Sequence, residues 1–259
     1  MPHVVRLDKL LAGQGYGTRG EMRSALRGDR VTVNGVVTRS GAMYVNPSTD
    51  EVELDGEPII TAPAPVVMMN KPAGVMTATG DRRHSVVADL LPEKWRTRRL
   101  MPIGRLDIDT TGLLLFTDDG DLAHRLIHPK RLVDKLYRAT LDAPITNEDI
   151  EAFELGVPMG GYKALPAKLE RDPISSLAAL VTVHEGKYHQ VKRMFASRGR
   201  LVKALERLSI GPVRLDPMLR PGACRSLTHV EEQALRLSCG ASGPDVGQPP
   251  PLLPPPPPT

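Results

Sequence analysis

Gly104-Arg-Leu-Asp-Ile-Asp-Thr-Thr-Gly-Leu-Leu-Leu-Phe-Thr-Asp-Asp-Gly120 shows in one stretch how the larger part of this chain is organised. A polar, turn-forming run leads into the apolar block Leu113–Phe116, short enough for a strand, and Thr117-Asp-Asp-Gly120 then opens a helix predicted over 120–127. The same unit recurs without a fixed period. Apolar strands are predicted at Val66–Met69 and Ala178–Val183, and helices at Ser85–Leu91, Asn147–Leu155, Tyr188–Ser197 and Val230–Leu237. Strands and helices that alternate this irregularly argue against a doubly wound parallel sheet and for an α+β fold over residues 66–237.

Upstream, residues 1–62 read as a separate small domain. Leu7–Leu11 is a short apolar helical stretch, closed by the loop glycines Gly13, Gly15 and Gly17. Thr18 caps a second helix to about Arg27, with Gly28 at its end. Val31–Val33, Asn34-Gly35 and Val36-Val37 spell a hairpin, and Val52 and Leu54 add a strand. Charge is uneven here. Residues 1–39 carry Arg6, Lys9, Arg19, Arg23, Arg27, Arg30 and Arg39 against Asp8, Glu21 and Asp29, whereas residues 40–62 hold five acids and no Lys or Arg. Arg19, Arg23 and Arg27 share one helix face, a geometry suited to phosphate oxygens; a merely solvated face is the alternative. Residues 63–65 read as a proline linker, and residues 238–259 as a disordered Pro-rich tail.

The whole chain has 259 residues, 34 Lys plus Arg against 30 Asp plus Glu, and enough apolar residues for a buried core. This modest basic excess is compatible with a polyanionic partner without requiring one. Cys224 and Cys239 form neither a disulfide framework nor a CxxC metal knuckle, and no apolar run reaches membrane-spanning length. A cytoplasmic monomer without a membrane association is expected. His124 and His128 have helical zinc-ligand spacing, but no Glu follows His124 and Pro129 ends the segment, so no metal is expected.

Three segments carry the chemistry: Met69-Asn-Lys-Pro-Ala-Gly74, with Lys71 at the tip of a turn; the Gly104–Leu113 run; and Glu185-Gly-Lys-Tyr-His-Gln-Val-Lys-Arg-Met-Phe195. Together, in this order, they resemble the pseudouridine synthases of the small-subunit (16S) rRNA type. Arg6-Leu-Asp-Lys-Leu10, Thr18-Arg19 and Val31-Thr-Val-Asn-Gly35 are similar to the S4 RNA-binding module that this family carries at its N-terminus. The resemblance spans residues 4 to 237. It departs at Thr18, where the family usually has Ser, and both cap helices.

The resemblance implies a small α/β S4 domain followed by a mixed, mainly antiparallel catalytic domain, and an isomerase that needs no cofactor. It matches Asp107 to the catalytic carboxylate, Lys192 to the cation paired with it, Tyr137 to the tyrosine that stacks on the target base, and Arg105 to the arginine that fills the space of the flipped nucleotide. Between Lys192 and Arg193 the residues alone do not decide; the family pattern favours Lys192. RNA-binding candidates are Arg6, Arg19, Arg23, Arg27, Lys71, Arg105 and Arg193, with the run Lys94, Arg96, Arg98, Arg99 leading into the catalytic loop. Asp109 reads as a turn residue. Bases must leave the stack before this chemistry, and with few aromatics in the chain, phosphates and RNA shape should dominate recognition. The expected partner is ribosomal RNA, 16S or a small-subunit assembly intermediate. Large-subunit (23S) rRNA and an assembly factor with an idle site are the alternatives.

Overall fold

Leu113 to Phe116 are all fully buried, and they point alternately to two different cores. Leu113 and Leu115 face one side; Leu114 and Phe116 face the other. A strand covered on both faces needs a continuous apolar run rather than alternation, which is what the sequence supplies. The computed structural model describes residues 4–47, 49–59, 65–81, 83–98 and 100–240. Arg99, most of the expected linker and residues 241–259 of the expected tail lie outside them.

That strand, Thr111–Thr117, lies within a nine-stranded sheet. The sheet runs Lys168–Arg171, Ala178–Val183, Lys135–Leu141, Val202–Ile210, Thr111–Thr117, Val67–Lys71 and Cys224–Ser226, with two short strands, Met101–Pro102 and Val213–Arg214, attached at the side. Neighbours are antiparallel except Val202–Ile210 beside Thr111–Thr117. At that junction a Cβ on Gly112 (φ +96°) would run into the Arg207 carbonyl, so only glycine lets the two backbones approach. Helices Gly120–Ile127 and His229–Ser238 cover one face through Leu122, Leu126 and Leu235. Helices Asn147–Leu155 and Gln190–Ser197 cover the other, where Phe153 and Phe195 meet at 5.0 Å.

Residues 5–59 build a core of their own from Leu7, Leu11, Met22, Leu26, Val31, Val33 and Val52. Thr18 and Glu21 form a reciprocal capping box at the start of helix Arg19–Arg27. Asn34 and Gly35 both take positive φ (52° and 75°) at the hairpin, as a type I′ turn requires. This part touches the larger one where the Arg98 guanidinium reaches both Gln14 and Asp118.

Several expectations need correction. Ser85–Leu91 is not an α-helix but a 3-10 turn at Val87–Leu90. The helix expected from Tyr188 begins at Gln190, because His189 adopts left-handed backbone geometry (φ 48°). The last helix continues to Ser238, one residue into the expected tail. Glu93–Arg96, inside the basic run, is helical and buries Trp95.

Candidate active site

Asp107 stands on the loop between strands Met101–Pro102 and Thr111–Thr117, and that loop is braced from both sides. Thr77 exchanges two hydrogen bonds with Leu106: its hydroxyl donates to the Leu106 carbonyl (2.8 Å) and accepts from the Leu106 amide (3.1 Å). The Gly74 amide donates to the Ile108 carbonyl at 2.7 Å. Beneath the loop lies Lys71. Expected at the tip of an RNA-facing turn, it is instead the last residue of strand Val67–Lys71 and fully buried, which corrects its assignment as an RNA contact. Its ammonium donates to the carbonyls of Pro72 (2.9 Å), Ile108 (3.3 Å) and Thr110 (2.9 Å), one for each of its three donors. Burial pulls its pKa down to about 8, and the nearby Asp109 and Asp107 offset only part of that.

Helix Gln190–Ser197 supplies the counter-charge. Lys192 Nζ lies 3.2 Å from Asp107 Oδ2 and 2.5 Å from Asp109 Oδ1, so one ammonium serves two carboxylates. Burial pulls the Lys192 pKa down, but the hydrogen bonds and charges of Asp109 and Asp107 outweigh it and hold the group above its ordinary value. Asp109 is held below the usual carboxylate range, first by its hydrogen bond to Lys192. Asp109 thus belongs to the charged cluster rather than being a simple turn residue. His189 completes it, with Nε2 at 3.5 Å from Asp107 Oδ1. Asp107 keeps about a quarter of its side chain open (27%).

Tyr137 reaches this region through the sheet register. It pairs with Arg207 on the next strand, and Arg207 pairs with Gly112 at the foot of the strand that carries the Asp107 loop. The buried Arg207 donates through Nε to the Leu113 carbonyl (2.8 Å) and through one terminal nitrogen to the Tyr137 hydroxyl (3.4 Å). Arg207 therefore ties the tyrosine to the strand that follows the Asp107 loop, and the sequence reading missed it. Its strand, Val202–Ile210, interleaves Lys203, Glu206 and Arg207 among apolar residues and lacks the apolar run that marked the other strands.

The remaining candidates divide. Arg105 is exposed, and no acidic side chain pairs with it among the described residues. Arg193 is half-buried, donates to the Met159 carbonyl at 2.8 Å and lies over the Tyr162 ring. Arg6 and Arg23 both pair with the buried Asp8 (3.0 and 3.3 Å), whose carboxyl is held below its usual range, by Arg6 above all. Arg30 and Arg39 are taken by Asp55 and Asp29. That leaves Arg19, Arg27 and Lys9, a residue outside the RNA-binding candidates, as the exposed cations of this module without an ion-pair partner among the described residues. Also among those residues, no group of three His, Cys, Asp or Glu side chains could hold a metal ion.

A profile of the RNA pseudouridylate synthases matches residues 65–197, which contain Asp107, Tyr137 and Lys192. Over 231 residues, 88% of this chain and 96% of the relative, the sequence is 46% identical to the uncharacterized RNA pseudouridine synthase YtzG of Bacillus subtilis. It is 40% identical over 230 residues to the ribosomal small subunit pseudouridine synthase A of Escherichia coli, covering 88% of this chain and 98% of that one. A crystal structure of a pseudouridylate synthase superposes with a TM-score of 0.63 at 35% identity, covering 89% of this chain and 99% of the other.

Proposed function

The chain belongs to the RNA pseudouridylate synthase family, and from that premise we propose that it converts one uridine of small-subunit (16S) rRNA to pseudouridine, with Asp107 as the catalytic carboxylate. The observation that carries the reading is the Asp107–Lys192 pair, 3.2 Å apart, with Asp107 on a loop held by Lys71 and Thr77 and Lys192 on helix Gln190–Ser197. The target uridine leaves the RNA stack and meets the partly exposed Asp107 carboxylate. The carboxylate then acts as nucleophile, or as base towards the ribose, while the bond from N1 to the sugar breaks, the uracil turns, and carbon 5 takes its place. Carbon 5 gives up its proton and N1 regains one, so no cofactor enters the balance.

Lys192 places its positive charge 3.2 Å from the Asp107 carboxylate, so that this charge has a partner when RNA displaces water. Tyr137 is the stacking partner of the uracil, held in place by Arg207, and Arg105 occupies the gap that the extruded nucleotide leaves. Residues 1–62 act as the S4-type RNA-binding domain. Phosphates are met there by Arg19 and Arg27 with Lys9 added, Arg6 and Arg23 being partly neutralised by Asp8. Small-subunit synthases align along nearly their whole length, which supports 16S over 23S rRNA as target and the cytoplasm as the place of action.

The test is pseudouridine mapping of total rRNA from cells with and without this gene, by a chemical adduct that blocks reverse transcription. Loss of one signal in small-subunit rRNA supports the proposal. A lost large-subunit signal corrects the target, and an unchanged map removes the enzymatic assignment to rRNA.

A further inference from the structure

Beside the Asp107–Lys192 pair, residues 185–190 present an aromatic surface that the reaction above does not use. Tyr188 is 71% exposed, the most exposed Phe, Tyr or Trp side chain among the described residues. Its ring lies flat on the His189 imidazole, with centroids 3.8 Å apart and planes 17° from parallel. His189 in turn places Nε2 3.5 Å from Asp107 Oδ1. From solvent inward the order is Tyr188, His189, Asp107.

The arrangement is held in place at some cost. His189 sits in the left-handed region (φ 48°, ψ 34°), which residues with side chains avoid unless their surroundings impose it. Here the surroundings do so. The buried Gln190 side chain accepts from the Lys187 amide (3.0 Å) and donates to Glu185 (2.8 Å), and Glu185 also accepts from the Leu165 amide (2.9 Å). The Lys187 ammonium is drawn away over the Tyr162 ring, 3.8 Å from its centroid. The segment is thus pinned on either side of the two rings, while the tyrosine stays open to solvent instead of packing into the core.

We propose that Tyr188 and His189 form a stacking platform for an unpaired nucleobase of the RNA, next to the uridine held at Asp107; this rests on the reading of the protein as an RNA pseudouridine synthase. Extruding one nucleotide deprives its neighbours of a stacking partner, and an exposed aromatic face at the mouth of the site replaces it. Such a face takes any base, so it contributes affinity rather than sequence choice.

The experiment measures binding of the full-length protein to a small-subunit rRNA transcript by fluorescence anisotropy at a series of salt concentrations, for wild type, Tyr188→Ala and Tyr188→Phe. An exposed side chain can be exchanged without disturbing the core, and circular dichroism checks this. Tyr188→Ala should weaken binding about tenfold, within the range of one lost base–aromatic stack. Its salt dependence should stay that of wild type, because no phosphate contact is removed, and Tyr188→Phe should remain within about twofold. The platform is overturned if Tyr188→Ala binds as tightly as wild type, or if Tyr188→Phe is as weak as Tyr188→Ala, which would point to a hydroxyl contact. Failure of the wild-type protein to bind the transcript would overturn the rRNA reading together with the platform; tight wild-type binding with an indifferent Tyr188→Ala overturns the platform alone.

Discussion

Replacing Lys192 with methionine keeps most of the side-chain volume and removes the one cation that faces both Asp107 and Asp109. At 3.2 Å, and with the effective dielectric of about 20 that suits protein sites, the attraction to Asp107 amounts to about 5 kcal/mol. In the free protein the two side chains are 22% and 27% exposed, and solvent screening reduces this to about half. Bound RNA displaces that solvent, so the loss grows towards the upper figure as the reaction proceeds. About 3 to 4 kcal/mol at the transition state corresponds to a rate lowered roughly 100- to 1000-fold. Binding should change only a few-fold, because phosphates elsewhere carry most of the affinity. The assay is single-turnover release of tritium from rRNA transcribed with uridine labelled at carbon 5, alongside the dissociation constant. A Lys192→Met protein within about threefold of the wild-type rate, or one whose entire loss lies in binding, would refute the pairing as the source of catalytic competence.

The other expectations concern the supports of the site. Lys71→Met trades three hydrogen bonds to carbonyls for relief of a buried charge, and should cost about 2 to 4 kcal/mol in urea unfolding. The folded-state pKa of Lys71, about 8, lies below its ordinary 10.5, so the unfolded chain binds the extra proton between those values. Wild-type stability should therefore rise relative to Lys71→Met from about pH 8 to about 10.5, and a flat difference would contradict the burial of the ammonium. At the far edge of the sheet, Arg225 above all holds Glu231 down to about 2 from 4.5. The stability this adds is present above about pH 4.5 and lost as pH falls towards 2, so the gap in melting temperature between wild type and Glu231→Gln should close over that interval. Replacing Lys9, Arg19 and Arg27 together with alanine should flatten the salt dependence of RNA binding by about two to three in log–log slope; an unchanged slope would show that this face does not meet RNA.

Much of the fold was legible where a local rule coincided with the tertiary outcome. Thr18 with Glu21, Asn34-Gly35 and the Leu113–Phe116 block each state their conformation within a few residues, and each adopts it. What escaped depends on contacts remote in the chain. Lys71 looked like a turn-tip cation because nothing in Asn-Lys-Pro reveals the three carbonyls, two of them on residues 108 and 110, that bury it. His189 interrupts an otherwise helical pattern because Gln190 and Glu185 bend the backbone ahead of the helix. The arginine face of the small module was read from spacing, but spacing does not show that Asp8 lies buried between Arg6 and Arg23. At the site itself, the motif fixes which residues are present, and only the sheet register shows Arg207 joining Tyr137 to the strand of the Asp107 loop.

The most direct measurement is pseudouridine formation by purified wild-type and Asp107→Asn proteins on a small-subunit rRNA transcript, followed by tritium release and site mapping. Asparagine preserves the shape of the partly open side chain and removes its charge. If Asp107 performs the chemistry, the variant binds the transcript within a few-fold of wild type and forms no pseudouridine, while the wild type modifies one position. Pseudouridine formed by Asp107→Asn at that same position would contradict the assignment.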